Sequence, residues 1–307
     1  MPPMDNTIIQ KLESIVGAGN VLLDEPMSTH TTFRVGGPAE CMVEPQSVDE
    51  VVDAIAACKA AGVPWRVLGH GSNLLVSDAG VDGVVVHISG NVGDVDVREG
   101  GVVVASAGAS NAKVAAMACR AGLAGFEFAA GIPGSIGGAA IMNAGAYDGE
   151  FRDVATSVTC LTADGQVVEL DADQADWSYR HSMMGDAGMV VLQATLKLHP
   201  DDPQAIRARM DDLAQRRTSK QPLDLPSAGS TFKRPEGHFA GKLIQDAGMQ
   251  GYQVGGAQVS TKHAGFVVNV GGATASDIVQ LIGDVQQAVR DQFGVELEPE
   301  VRFWGFE

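Results

Sequence analysis

Apolar residues recur at helical spacing along several stretches of the chain. Val51, Val52, Ile55 and Ala56 form a stripe preceded by Ser47 and Glu50, the spacing of a capping box, and followed by Gly62 and Pro64, which end a helix. Ile206, Met210 and Leu213 predict a helix running to about Ser219. Ile278, Leu281, Ile282, Val285 and Val289 share one face of a helix over residues 275–293, and a shorter helix is expected at 112–121. Elsewhere β-branched runs bounded by Gly, Pro and Asp predict strands at 39–45, 65–68, 84–88, 102–107, 156–162, 167–170, 189–198, 253–259, 265–270 and 300–304. The first 65 residues thus read as a helix, an extended segment and a βα unit.

Residues 122–153 break this rhythm, with Gly at 122, 125, 131, 134, 137, 138, 145 and 149. A stretch that long without its own periodicity is usually functional. Pro200-Asp201-Asp202-Pro203 marks a plausible boundary. At 307 residues the chain has room for about two domains at roughly 100–200 residues each. Glycine, at 38 residues, is well above its usual ~7% share, which suggests tight turns or backbone packed against a ligand.

A formal charge of −17 argues against nucleic-acid binding, which needs clustered Lys and Arg. No apolar run approaches the ~18 residues of a membrane helix, and the first residues carry no signal-peptide pattern. Cys41, Cys58, Cys119 and Cys160 lack C-x-x-C spacing and a nearby His pattern, so four reduced, buried thiols of a cytoplasmic protein are expected, and no metal site.

The chemistry sits in short motifs. Gly69-His70-Gly71-Ser72-Asn73-Leu74 follows a strand, and its glycines let backbone N–H groups point at a phosphate. Gly131-Ile132-Pro133-Gly134 with Gly137, then Asn143 and Gly145, forms a second such loop. Alone, each reads equally as a turn or packing corner; together they favour a dinucleotide-like ligand, though not a Rossmann fingerprint, since no third Gly opens a helix. In Tyr179-Arg180-His181-Ser182, Arg180 offers a fork of donors for a carboxylate, although a lone Arg more often makes a surface or structural ion pair. Ser230 in Ala228-Gly229-Ser230-Thr231 is a proton donor or a turn residue, and it lacks the surroundings of a serine nucleophile. Residues 204–242 hold eight basic and four acidic side chains, a local excess suited to an anionic small molecule. Glu300 and Arg302 alternate with Val301 and Phe303 near the end of the chain.

In order, TFRVGG from Thr32, LGHGSNLLV, GIPGSIGGA, NAGAYDGE, YRHS, AGSTFKRP, GGAQVSTKHAGFVVN and LEPEVRFWG span roughly residues 28 to 305. This succession resembles the UDP-N-acetylenolpyruvoylglucosamine reductase family, in its shorter type without a substrate-clamping insertion. The resemblance implies an α+β or α/β protein: a two-lobed FAD-binding region of the PCMH flavoprotein kind, with lobes at 1–65 (joined by 299–307) and 66–200, plus a C-terminal α/β substrate domain at 201–298. It implies noncovalent FAD, NADPH as co-substrate, and reduction of a UDP-sugar enolpyruvyl ether. Ser230 then matches the serine that protonates the enolate, and Arg180 and Glu300 the pair that stabilises it. Gly69, His70, Gly71, Ser72, Asn73, Leu74, Gly131, Ile132, Pro133, Gly134, Gly137, Asn143 and Gly145 fall to the cofactor; Tyr179, Arg217, Lys220, Lys233 and Lys262 fall to the substrate. His70 becomes a noncovalent neighbour of the pyrophosphate, and Arg234 stands where some relatives carry Asn. A monomer or weak homo-oligomer is expected. An FAD-linked oxidase or dehydrogenase on the same fold, and a flavin-free UDP-sugar-binding protein, are the alternative readings.

Overall fold

The computed structural model describes residues 4–306. They form two compact units. One comprises the described residues up to Leu22, Cys41–His70 and Gly83–Arg217; the other comprises Leu23–Glu40, Gly71–Asp82 and the chain from Thr218 onward.

The larger unit is built on a five-stranded antiparallel sheet in the order Val167–Asp171, Ala155–Leu161, Val190–Lys197, Val102–Ser106, Val95–Arg98. Strand residues such as Val103, Ala105, Val158, Ala194 and Leu196 point into a core shared with helices Asn111–Arg120 and Ile136–Ile141. A second core in this unit joins the helices Asn6–Val16 and Val48–Ala61 to the parallel pair Trp65–Leu68 and Val81–His87. Those two strands belong to a four-stranded sheet ordered Val21–Pro26, Pro38–Val43, Val81–His87, Trp65–Leu68. Ser47 caps its helix as expected, accepting from the Glu50 N–H at 3.2 Å, but the Glu50 carboxylate reaches the N–H of Gln46 rather than that of Ser47. Gly62 ends the helix in the left-handed conformation.

The smaller unit packs helices Ala240–Asp246 and Ala275–Phe293 against the antiparallel strands Gln253–Val254, Ala257–Val259 and Val267–Asn269. Thr274 and Asp277 form a reciprocal capping box on the longer helix, a signal passed over in the sequence. The C-terminal strand Arg302–Trp304 runs parallel to Leu74–Val76, the apolar end of the first glycine motif.

Three expectations differ in detail. The strand expected over 253–259 is a hairpin turning at Gly255-Gly256, where a side chain on Gly256 would lie 2.3 Å from the Ala273 nitrogen. The last strand begins at Arg302, because the backbone of Glu300 bonds elsewhere. The helix expected to end near Ser219 spans Pro203–Lys220; Pro203 is tolerated at its start, where no N–H is needed. All four cysteines are free and buried, and burial pushes the Cys58 thiol up to about 11 and the Cys160 thiol to about 12.

Candidate functional site

In the larger unit the two glycine-rich loops meet. A Cβ on Gly69 would lie 2.7 Å from the Ser135 hydroxyl, so only glycine lets the backbones approach this closely. Gly137 backs onto Ala107 in the same way and donates its N–H to the Ala107 carbonyl at 2.9 Å. Ile132 is half-buried, and its carbonyl accepts from the Asn111 amide at 3.3 Å; Pro133 is exposed. Around this corner, polar groups are left over. Among the described residues the N–H groups of Gly134 and Ser135 have no acceptor, and the buried Asn111 Oδ1 has no donor. His70 is half-buried beside His87; burial, then the His87 charge, hold its imidazole pKa below the ordinary value.

Arg217 lies over the second loop, its side chain 3.3 Å from where a Gly131 Cβ would be. Burial pushes the guanidinium pKa down, while neighbouring Tyr147 works in the opposite sense. No carboxylate pairs with Arg217 among the described residues. A half-buried, unpaired cation above open backbone donors is suited to an anionic group. Tyr147 was not singled out in the sequence; its positive φ of 53° and 38% exposure mark it as a side chain held outward.

Arg180 is presented by a four-residue turn closed by mutual backbone bonds between Ser178 and His181, each 3.2 Å. Its φ of 55° is a region usually left to glycine, and holding it there costs about 1 kcal/mol or more. The guanidinium stacks 5.0 Å from the Tyr179 ring and donates to the Gly145 carbonyl at 3.3 Å. Tyr179 is 47% exposed. Asn143 lies beneath the turn, fully buried: it donates to Ser178 O at 3.0 Å and to the Glu150 carboxylate at 2.9 Å, and its oxygen accepts from the Arg152 N–H at 3.0 Å. Both ends of its side-chain amide are thus engaged by protein.

The smaller unit brings Ser230, Glu300 and Asn73 together. Thr231 donates its N–H to Gly265 O at 2.9 Å and accepts from the Glu300 N–H at 2.8 Å. The Asn73 side-chain amide donates to the Glu300 carbonyl at 3.0 Å, and the Asn73 backbone carbonyl accepts from the Arg302 N–H at 3.0 Å. Ser230 is exposed, while Thr231 beside it is buried and accepts from the Val267 N–H at 3.0 Å. The serine hydroxyl is therefore offered outward from a backbone pinned on both sides. Gly71, at φ 58°, approaches so closely that a Cβ would meet the His30 carbonyl oxygen at 2.0 Å. Ser72 is half-buried, and Leu74 is a buried strand residue paired with Arg302.

The basic stretch is less uniform than its composition implies. Arg209 is paired with both Glu127 and Asp201, Arg216 with Asp212, Lys233 with Glu298 and Lys242 with Asp246. Lys262 donates to the Thr218 carbonyl at 2.7 Å, near the end of the Pro203–Lys220 helix. Lys220 is exposed on that last turn.

Comparison with known proteins gives concordant results. Residues 39–171 match the FAD binding domain family, and residues 221–304 match the C-terminal domain of UDP-N-acetylenolpyruvoylglucosamine reductase. The chain is 49% identical to the UDP-N-acetylenolpyruvoylglucosamine reductase of Agathobacter rectalis over 98% of its own length and 99% of the relative's. It is 50% identical to that of Clostridium botulinum, over 97% of each chain. Among solved structures, the UDP-N-acetylenolpyruvylglucosamine reductase of Thermus caldophilus superposes with a TM-score of 0.78 at 33% identity, covering 92% of this chain and 98% of that one. Alkyldihydroxyacetonephosphate synthase shares the fold alone, with a TM-score of 0.52 at 17% identity over 65% of this chain.

Proposed function

The chain belongs to the UDP-N-acetylenolpyruvoylglucosamine reductase family, and from that premise we propose which of its residues carry each part of the reaction. The enzyme reduces UDP-N-acetylglucosamine enolpyruvate to UDP-N-acetylmuramate with NADPH, in peptidoglycan precursor synthesis. FAD, when bound, would supply the hydride chemistry that links NADPH to the enolpyruvyl methylene carbon.

The residues present fit that cofactor. The Gly69–Ser135 approach and the open N–H groups of Gly134 and Ser135 suit the diphosphate of a dinucleotide. Asn73 and Gly71 shape the continuation of the first loop.

Adding hydride to the methylene carbon leaves negative charge on the carbon α to the substrate carboxylate, shared with its oxygens. Arg180 lays its fork of donors on those oxygens as the charge grows. Ser230 gives its proton to the α carbon, a role worth roughly 10²–10⁴-fold. Two bare carboxylates repel, so Glu300 assists by orienting a donor or, when protonated, by donating itself. Lys220 and Arg217 hold the diphosphate or carboxylate of the substrate, with Lys233, Lys262 and Tyr179 as lesser contacts. The enzyme acts in the cytoplasm, where its nucleotide substrates are made, as a monomer or weak homo-oligomer; no helix among the described residues is long and apolar enough to cross a membrane.

The observation that most supports the assignment of Ser230 and Glu300 is their shared backbone anchor at Thr231. The test is steady-state turnover with product analysis. NADPH consumption should require the enolpyruvyl substrate and yield UDP-N-acetylmuramate mole for mole. Flavin turnover driven by oxygen with a hydroxyacid or sugar, and no NADPH requirement, would instead support the oxidase reading.

A further inference from the structure

We propose that Trp177, Ser182 and Asn143 are positioning residues for Arg180, holding its turn in register on the short helix Ile136–Ile141. The proposal rests on the reading of Arg180 as the anchor for the substrate carboxylate.

The last carbonyls of a helix have no partner within it. Here they are taken by side chains that bracket the Arg180 turn. Trp177 Nε1 donates to Ala140 O at 2.7 Å from one side, and Ser182 Oγ donates to Ile141 O at 2.8 Å from the other. Asn143, two residues past the helix, donates to Ser178 O at 3.0 Å, inside the turn. Arg180 itself reaches Gly145 O at 3.3 Å. The turn therefore touches one continuous stretch of chain at residues 140, 141, 143 and 145.

These anchors are buried, at 7% exposure for Trp177, 1% for Ser182 and 0% for Asn143, whereas Tyr179 at the tip stands out. A left-handed arginine persists only where its surroundings over-determine it, and these contacts do so. The same helix starts directly from the glycine loop at Gly131–Ser135. One rigid element thus fixes the Arg180 turn at one end and the glycine corner at the other. Misplacing a catalytic group by about 1 Å can cost on the order of 10²-fold in rate. The Asn143 side chain, expected at the cofactor, bonds to Ser178 O, Glu150 and the Arg152 N–H.

The test uses the full-length FAD-loaded enzyme with Asn143→Asp, Trp177→Phe and Arg180→Ala. Asn143→Asp keeps the shape but turns an oxygen toward Ser178 O and Glu150. Trp177→Phe keeps an aromatic ring against Phe151 while removing the N–H donor and part of the indole volume, so it serves as a second variant if the first folds poorly. Three quantities are measured: FAD per chain from absorbance, the anaerobic rate of flavin reduction by NADPH, and the rate of reoxidation by the enolpyruvyl substrate. Both positioning variants should slow reoxidation roughly 10- to 100-fold while FAD content and reduction stay within about threefold. Normal reoxidation in both, with loss in Arg180→Ala, would overturn the positioning role alone. Loss of FAD from Asn143→Asp with an unchanged rate per bound flavin would overturn it too, and return Asn143 to the cofactor. Normal reoxidation in Arg180→Ala would remove the reading beneath.

Discussion

Ser230 and Thr231 are adjacent hydroxyls with opposite surroundings, and replacing each in turn separates chemistry from folding. Ser230 is exposed, and its backbone is held by bonds its neighbours make. Ser230→Ala should therefore cost little stability, within about 0.5 kcal/mol as for other surface substitutions. If its hydroxyl is the proton donor, reoxidation of reduced flavin by the enolpyruvyl substrate should fall roughly 10²–10⁴-fold, or about 2.7–5.4 kcal/mol in the barrier. Thr231 is fully buried, and its oxygen accepts from the Val267 N–H at 3.0 Å. Thr231→Val leaves that amide unsatisfied, a cost of about 1–3 kcal/mol, which at about 2–4 °C per kcal/mol lowers Tm by several degrees. Rapid-mixing absorbance follows each half-reaction, and scanning calorimetry follows Tm. The reasoning is refuted if Ser230→Ala slows NADPH reduction as much as reoxidation, or if its Tm drops as far as that of Thr231→Val.

Other perturbations reach different parts of the account. Lys220→Ala should raise KM for the enolpyruvyl substrate or NADPH about 10-fold, the worth of one charge-assisted bond, with kcat little changed; unchanged KM for both would take Lys220 out of the site. Gly71→Ala forces a Cβ against the His30 carbonyl in a left-handed backbone, so it should destabilise the protein by about 2–4 kcal/mol and lower Tm accordingly; a wild-type Tm would contradict that packing. His70 has its folded pKa held below the ordinary 6.5, so its neutral form belongs to the native state. Above that value its contribution to stability is fully present, and as pH falls below it the unfolded chain binds the extra proton and stability is lost. His70→Gln should flatten the fall in Tm between about pH 7 and about pH 5, and parallel curves for both proteins would count against it.

Much of this architecture is legible in the sequence because periodicity and caps agree. The stripe at Ile278–Val289 gives the buried face of its helix as expected, whereas in Val48–Ala61 the buried face is Val51, Ala54, Ile55, Ala57 and Cys58, so Val51 and Ile55 hold while Ala56 is exposed. What escapes is decided by contacts distant along the chain. Val95–Arg98 alternates half-buried and exposed residues and is recruited as an edge strand only by Val102–Ser106. Ala240–Asp246 is too short for a periodic signal. Glycine motifs mark the two loops, since a missing Cβ is visible in sequence, but the approach of Gly69 to Ser135 across 66 positions is not. Eight basic residues suggest a field over 204–242, yet carboxylates outside or within that stretch take Arg209, Arg216, Lys233 and Lys242, leaving Arg217 conspicuous only once burial is known. Trp177 and Ser182 carry no signature at all, because their partners are helix-end carbonyls.

The measurement that tests the central claim most directly is a single anaerobic titration of gently purified protein. The account predicts a flavin spectrum that bleaches on adding NADPH and returns on adding UDP-N-acetylglucosamine enolpyruvate, with UDP-N-acetylmuramate formed in equal amount. A flavin that bleaches but recovers only with oxygen, or a protein that takes up no FAD at all, would contradict it.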